Sequence, residues 1–133
     1  QGPMLVEANT SKLQPTEPLP VTDNDNVLQA DWSPLLPVLQ DNKLTIAQRC
    51  NHFHATLAAT LLEQAVLSRQ RHGTFQVGLS GGVFQNKRLT EHVIDLLEQK
   101  GFKVFMNHLI PCNDGGLCAG QILEAIAASA PGK

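Results

Sequence analysis

The sequence predicts an α/β domain with few strands, and three features of its hydrophobic pattern support this fold class. A long helical pattern runs from Thr45 to about His72, an alternating strand follows at 75–79, and an amphipathic helix leads to a second strand at 102–106. The helix between the strands is long enough for a parallel crossover. We therefore expect a small parallel sheet with flanking helices.

Residues 1–40 are predicted as a leading segment and linker with one short helix, ahead of an α/β region at 41–133. Residues 11–26 are rich in Pro, Thr, Asp and Asn and show no hydrophobic period, which is typical of a loop. The short helix is expected to start with Ser33 as its N-cap and Pro34 at its first position.

Two strands make a thin sheet, so a further strand is expected from elsewhere. Residues 1–8 or 26–31 are candidates for an additional edge, and a part of the polypeptide outside this chain is the alternative.

The long helix carries apolar residues at spacings of three and four, and we expect it to be well buried on this face: Ile46, Cys50, Phe53, Leu57 and Leu61. Gly73 is a plausible C-terminal stop. The crossover helix is expected to end at Gly101, and an Ala-rich helix at 117–128 closes the domain.

Composition excludes several classes of function. The formal net charge is -2 and there is no Lys/Arg run, so neither a nucleic acid nor an anionic membrane is an expected partner. No apolar stretch approaches the roughly 20 residues that span a bilayer. Three cysteines without a CxxC motif indicate a reducing compartment, and we expect a cytoplasmic protein.

A glycine-rich turn at Gly81-Gly82 lies between the first strand and the crossover helix, with Asn86 just beyond it. Exposed backbone amides at such a strand-turn-helix unit are suited to hold a phosphate or a nucleotide. The alternative is a tight turn that needs a positive φ, with Asn86 acting only as a helix cap. The spacing alone leaves both open, because neither a P-loop nor a GxGxxG motif is present.

A second turn of the same kind, 113–116, opens the last helix. Asp114 in this turn is either a helix cap or a carboxylate that binds a metal beside a phosphate. Gly115 and Gly116 are poor helix formers, which indicates that something requires the backbone to be exposed there. One carboxylate alone does not make a metal site.

No catalytic constellation is predicted from the residues. His52 and His54 diverge by about 200° on a helix, so they are poorly placed to share a metal. His54 is expected to pack or to form hydrogen bonds along the long helix.

Residues 79–86 and 111–121 closely resemble the C-terminal end of the hydrogenase maturation carbamoyltransferases of the HypF family. Phe53-His54 and the segment 1–8 are similar to the same family, so that the resemblance covers nearly the whole chain. It implies one lobe of an actin-like, ribonuclease-H-like ATPase fold, in the last part of a domain related to TsaD.

The resemblance also implies an activity for a much longer parent enzyme. Such an enzyme uses carbamoyl phosphate and ATP to form carbamoyl adenylate, and it transfers the carbamoyl group to the C-terminal cysteine of the partner protein HypE. A TsaD-like tRNA threonylcarbamoyl transferase or an O-carbamoyltransferase is the nearest alternative. A non-catalytic interaction module is the alternative from another class.

By the same resemblance, Gly81, Gly82 and Asn86 match a nucleotide-contacting turn, and Asp114 matches a metal-binding aspartate. Gly115 is also expected to contact the nucleotide. The other ligands of that divalent metal are histidines upstream of this chain, so the chain alone is expected to be inactive. We further expect the two glycine turns to lie side by side and to face a bound adenylate.

Overall fold

The computed structural model describes residues 2–10, 13, 15–107 and 110–129, and within them it confirms the α/β class. The elements in chain order are α1 (Gly2–Ala8), β1 (Val21–Asn24), β2 (Val27–Ala30), α2 (Leu35–Gln40), α3 (Ile46–His72), β3 (Gln76–Leu79), α4 (Lys87–Gln99), β4 (Lys103–Met106) and α5 (Leu117–Ser129). Two short 3₁₀ turns, Gly82–Gln85 and Asp114–Gly116, precede α4 and α5.

The predicted parallel strand pair is confirmed. Strands β3 and β4 pair in parallel, with Gln76 opposite Lys103 and Leu79 opposite Met106. Helix α4 makes the connection between them, as a parallel pair requires a crossover rather than a hairpin. The turn at Gly81 therefore lies at the carboxyl end of a parallel strand, which is where ligands bind in many α/β folds.

Helix α3 begins and ends where the sequence predicts. Thr45 accepts the backbone N–H of Gln48, and the Gln48 side chain bonds back to Thr45, which completes a capping box. Gly73 ends the helix in the left-handed conformation with φ 68°. With 27 residues, α3 is about 40 Å long, and it contacts α1, α2, α4 and β1.

The leading segment is attached along α3 by polar contacts. The N–H of Leu19 donates to the Thr60 hydroxyl at 2.9 Å, and the Arg49 guanidinium donates to the carbonyl of Leu39 at 3.1 Å. These contacts hold α2 and the residues before β1 against the helix.

The core is formed where α3, α4 and the parallel strands meet. Its buried members are Ala58, Leu79, Leu89, Val93, Leu97 and Phe102. The apolar stripe of α4 supplies three of these side chains, because positions 89, 93 and 97 recur on one helix face. On α3, however, Ile46 is 61% exposed, since the buried part of that helix begins only at Cys50.

The structure corrects the interpretation of residues 11–26 as an unstructured loop. Strands β1 and β2 form an antiparallel hairpin of their own, separate from the parallel pair. Asp25 and Asn26 connect them with φ of 51° and 66°, as a type I′ turn requires. Short polar residues that tolerate positive φ were the overlooked signal.

The predicted additional edge strand is also wrong for both candidate segments. Residues 2–8 are helical, and the strand within 26–31 pairs only with β1 inside the hairpin. The sheet formed by β3 and β4 contains no third strand from the described residues.

Helix α2 starts one residue later than predicted, at Leu35. Pro34 takes the cap position without a side-chain hydrogen bond, so Ser33 is not the N-cap. The backbone N–H of Ser33 instead donates to the Asp31 carboxylate at 2.9 Å. Hydrogen bonds from the Ser33 side chain and backbone lower the pKa of Asp31.

The large apolar side chains of helix α5 are exposed to solvent. Leu117, Ile122, Leu123 and Ile126 are each about 60% exposed. In the described part of the chain, no helix has both the length and the apolar character that a bilayer crossing needs.

Candidate functional site

The first glycine turn is built around a backbone conformation that only glycine adopts readily. Gly81 has φ 106° and ψ 155°, a region essentially closed to L-residues with a side chain. The N–H of Gly81 donates to the carbonyl of Cys112, and Phe84 closes the 3₁₀ turn onto the carbonyl of Gly81. The N–H groups of Gly82 and Val83 take no part in the hydrogen bonds of the described residues.

The second turn is capped by Asn113. Its side-chain oxygen accepts the N–H of Gly115 at 3.0 Å, and its carbonyl accepts the N–H of Gly116 at 2.9 Å. Asp114, between Asn113 and Gly115 in the chain, has an exposed side chain. The cap of this turn is therefore Asn113, whereas Asp114 is directed into solvent.

The two glycine turns lie side by side, as expected from the sequence. The bond from Gly81 to Cys112 joins them directly, and a Cβ on Gly82 would lie 3.9 Å from the Cβ of Asn113. Two segments about thirty positions apart thus form one corner of the molecule. We call the residues 81–86 and 112–116 the glycine corner.

Gly116 has a packing reason to be glycine that the sequence did not reveal. A Cβ at this position would lie 2.4 Å from the carbonyl oxygen of Pro111 and 2.9 Å from a methyl group of Ile110. The close approach of the preceding backbone, rather than exposure to a ligand, explains this glycine.

We expect Gly116→Ala to lower the free energy of unfolding by about 1–3 kcal/mol, because backbone must move to admit the methyl group. Gly120→Ala is the control, four residues later within α5, where a Cβ meets nothing within 4 Å. The free energy of unfolding of that control should rise by up to about 1 kcal/mol, because alanine has a higher helix propensity than glycine. Urea denaturation of both variants measures the difference, and equal stabilities would contradict the packing explanation.

Asn86 serves as the N-cap of α4 and also contacts α3. Its side-chain oxygen accepts the N–H of Leu89 at 3.1 Å, and its amide nitrogen lies 2.8 Å from Nε2 of His54. The cap predicted as the alternative role of Asn86 is therefore present. One amide hydrogen remains for a further partner, because a side-chain amide carries two.

His54 is buried, with 2% of its surface exposed, and both ring nitrogens are hydrogen-bonded. Nδ1 lies 2.6 Å from the hydroxyl of Thr10, and that hydroxyl donates to the carbonyl of Val6 at 2.9 Å. Burial lowers the pKa of His54, and the negative charge of Glu7 partly opposes this effect. The expectation that His54 forms hydrogen bonds is confirmed, although its partners lie on other elements.

Glu7 connects α1 to the N-terminus of α4. Its carboxylate accepts the backbone N–H of Lys87, the first residue of α4, at 2.8 Å. A carboxylate at a helix N-terminus is favourable because of the helix dipole. Helix α1 is thus attached to the start of α4 through Glu7, and Thr10, two residues beyond its end, contacts His54 of α3.

An open cleft of about 670 Å³ lies between α1, α3 and the start of α4. Its wall is mainly apolar and includes Val6, Glu7, Phe53, Gly82, Val83 and Asn86. Of the predicted site residues, Gly82 and Asn86 face this cleft, whereas Gly81, Asp114 and Gly115 lie outside the described lining. A cleft of this size can accommodate a small ligand.

The described residues do not form a metal site by themselves. Within residues 2–10, 13, 15–107 and 110–129 no group of three His, Cys, Asp or Glu side chains is placed to hold an ion. Asp114 has an exposed carboxylate and stays a prediction as a single ligand. All three cysteines are free thiols.

Sequence reasoning missed Glu7 and Thr10. Both lie far from the glycine corner along the chain, since Glu7 bonds to a residue 80 positions later and Thr10 to one 44 positions later. Such pairings leave no local pattern. Only the similarity of segment 1–8 to a known family indicated that this region matters.

Over most of its length the chain is similar to a subdomain of carbamoyltransferases. Residues 1–121 match the family model described as "Carbamoyltransferase, Kae1-like Domain, second subdomain". A carbamoyltransferase HypF of Synechocystis sp. is 34% identical over 115 residues, which are 84% of this chain and 14% of that protein. The HypF of Rhizobium leguminosarum bv. viciae is 34% identical over 92 residues, covering 68% and 12%.

Solved structures agree with these relatives. A full-length HypF crystallised in its phosphate- and nucleotide-bound form superposes with a TM-score of 0.88 at 27% identity, over 96% of this chain and 17% of that one. HypF of T. kodakarensis shows the same fold with a TM-score of 0.69 at 20% identity, over 94% and 17%. The chain belongs to the HypF family of carbamoyltransferases, and it spans only 12–14% of the length of these two curated relatives.

Proposed function

We propose that this chain forms one wall of the nucleotide site in a HypF carbamoyltransferase. The complete enzyme would use carbamoyl phosphate and ATP to make carbamoyl adenylate and would carbamoylate the C-terminal cysteine of HypE. In the transfer step the cysteine sulfur bonds to the carbamoyl carbon, the bond from that carbon to the phosphate oxygen breaks, AMP leaves, and the thiol loses its proton.

The superposition on a HypF that binds phosphate and nucleotide carries this proposal. That match covers 96% of the chain, so most of the glycine corner lies within it. The corner lies at the carboxyl end of β3, beside a cleft that Gly82 and Asn86 line. The same position holds ligands in many α/β proteins.

The residues of the corner suggest how a nucleotide would be held. The N–H groups of Gly82 and Val83 are not used within the described structure, so they can donate to phosphate oxygens. The remaining amide hydrogen of Asn86 can donate to a hydroxyl or a base edge. Gly81 contributes its conformation, because its own N–H is bonded to Cys112.

Charge in the cleft favours one orientation of the ligand. The carboxylate of Glu7 lines the wall near Lys87 and would repel a phosphate nearby. Phosphates would therefore lie toward Gly82, and hydroxyl groups, which donate to carboxylates, toward Glu7.

Asp114 is proposed as one ligand of a divalent metal close to the phosphates. Its exposed carboxylate lies in the turn that contacts Gly81 and Gly82, and a hard cation prefers such oxygen ligands. The other ligands would come from outside this chain. The N–H of Gly115 is bonded to Asn113 and cannot donate to the ligand. Gly115 would therefore contribute only its exposed backbone beside the metal.

We expect Asn86→Ala and Asp114→Asn to reduce carbamoyl transfer to HypE by about tenfold to a hundredfold in the full-length enzyme, the range that corresponds to one lost charged hydrogen bond or more. Asn86→Ser retains an N-cap and separates the loss of a ligand contact from the loss of capping. Transfer is measured as carbamoylated HypE, and the free energy of unfolding is measured in parallel. Wild-type transfer by both Asn86→Ala and Asp114→Asn would refute the site.

The same assay separates the competing functions. Modification of tRNA rather than HypE would identify a TsaD-like enzyme, and no saturable binding of ATP by the full-length protein would identify an interaction module. The isolated chain is expected to form no carbamoyl adenylate, because the remaining metal ligands and the facing wall of the site would come from outside it. Adenylate formation by the chain alone would contradict this.

A further inference from the structure

We propose that His54 is the positioning residue for Asn86: as a neutral imidazole with its proton on Nδ1, it fixes the side chain that faces the nucleotide. This inference rests on the proposed function, because it assigns a role to a residue behind the proposed site. Three observations on hydrogen bonding carry it.

The direction of each hydrogen bond follows from the groups at its ends. The Thr10 hydroxyl donates its single hydrogen to the carbonyl of Val6, so it can only accept from Nδ1 of His54. Nδ1 therefore carries the proton, and Nε2 is left as an acceptor.

The orientation of Asn86 is then fixed at both ends. Its side-chain oxygen accepts from the N–H of Leu89, so the group facing Nε2 of His54 must be the NH₂ donor. The chain from Asn86 through His54 and Thr10 to Val6 has a donor and an acceptor at every contact. A flipped amide would break the contacts to Leu89 and His54 simultaneously.

A protonated His54 is incompatible with this arrangement. Nε2–H would face the NH₂ group of Asn86, which offers no lone pair, and the charge would be buried in a residue that is 2% exposed. Of the charged groups nearby, Glu7 on α1 favours protonation but is bonded to the N–H of Lys87, while the Lys87 ammonium lies 3.7 Å from Glu91.

The sign of the pH effect follows from these contacts. Burial lowers the pKa of His54 below its ordinary value of about 6.5, so the network is intact above that pH. As the pH falls below about 6.5 the unfolded chain takes up the proton first, and the stability that the neutral ring contributes is progressively lost. Asn86 loses its fixed orientation when the ring itself is protonated.

The first test is made without nucleotide, by NMR of the 133-residue chain labelled with ¹⁵N. We expect ¹⁵N shifts at pH 7.5 that assign the proton of His54 to Nδ1, and a slowly exchanging side-chain amide of Asn86. Thr10→Val removes the acceptor of Nδ1–H and should move the proton toward Nε2, with faster exchange at Asn86. A wild-type Nε2–H tautomer, or an Asn86 amide unaffected by Thr10→Val, would overturn the inference.

The second test measures ATP binding by the full-length protein. His54→Ala should weaken binding about tenfold, whereas His54→Gln, whose amide oxygen can replace Nε2 as acceptor, should stay close to wild type. As the pH is lowered below about 6.5, wild-type affinity should fall more steeply than that of His54→Gln, because only the wild type has a ring at this position that can be protonated.

These outcomes separate the inference from the proposed function. If Asn86→Ala weakens ATP binding while His54→Ala does not, the site stands and His54 has no positioning role. If Asn86→Ala leaves ATP binding unchanged, the proposed site fails, and the NMR result alone decides whether His54 orients Asn86.

Discussion

Leu97→Ala is expected to lower the free energy of unfolding by about 2–5 kcal/mol, the range for a large-to-small change at a fully buried leucine. Leu97 is 1% exposed and lies in the cluster where α3, α4 and the parallel strands meet. The loss combines the transfer of the missing methyl and methylene groups with the cavity they leave. Since a domain of this size has about 5–15 kcal/mol in total, this is a large fraction of its stability.

Leu123→Ala provides the matched control, because it makes the same chemical change on an exposed helix face. Leu123 is 62% exposed on α5, so its truncation should alter stability by no more than about 0.5 kcal/mol. Urea denaturation followed by circular dichroism measures both variants. Similar losses in the two would show that α4 does not pack as described.

Gly81→Ala is expected to cost about 1–3 kcal/mol for a different reason, namely the backbone conformation of the glycine corner. A Cβ at Gly81 meets nothing within 4 Å, so no clash contributes. The cost arises because φ 106° is strained for any L-residue with a side chain. Relief of that strain would move the N–H that donates to Cys112 and separate the two turns.

Gly78→Ala separates strain from the mere addition of a methyl group. Gly78 lies three residues earlier in β3, and a Cβ there also meets nothing within 4 Å, but its φ is not positive. We expect that variant to be neutral or slightly stabilised, since alanine restricts the unfolded chain. A Gly81→Ala protein as stable as Gly78→Ala would rule out the strained turn.

Local patterns predicted the elements that depend on near neighbours. The helical pattern that starts at Thr45, the stop at Gly73 and the alternation of β3 are all encoded within a few positions, and the structure has each of them. The hairpin at 21–30 was missed because Asp-Asn is a weaker turn signal than Asn-Gly and because prolines precede it.

The candidate site was only half predictable. Composition and spacing placed two glycine turns at helix starts, and the structure joins them, but the contacts that orient Asn86 come from α1 and α3. The glycine at position 116 shows the limit of compositional reasoning. Its cause is a carbonyl of Pro111 that only the folded chain brings near.

The wide separation of these contacts determines when the corner forms during synthesis. The hydrogen bonds of His54 span 44 and 32 residues, and the N–H of Gly81 bonds to the carbonyl of Cys112, which is synthesised later. A ribosome adds about 5–20 residues each second, whereas a helix such as α3 forms within about a microsecond. The residues that close the corner, Asn86 and Cys112, are therefore added seconds after His54, so the bonds from Asn86 to His54 and from Gly81 to Cys112 form late in synthesis.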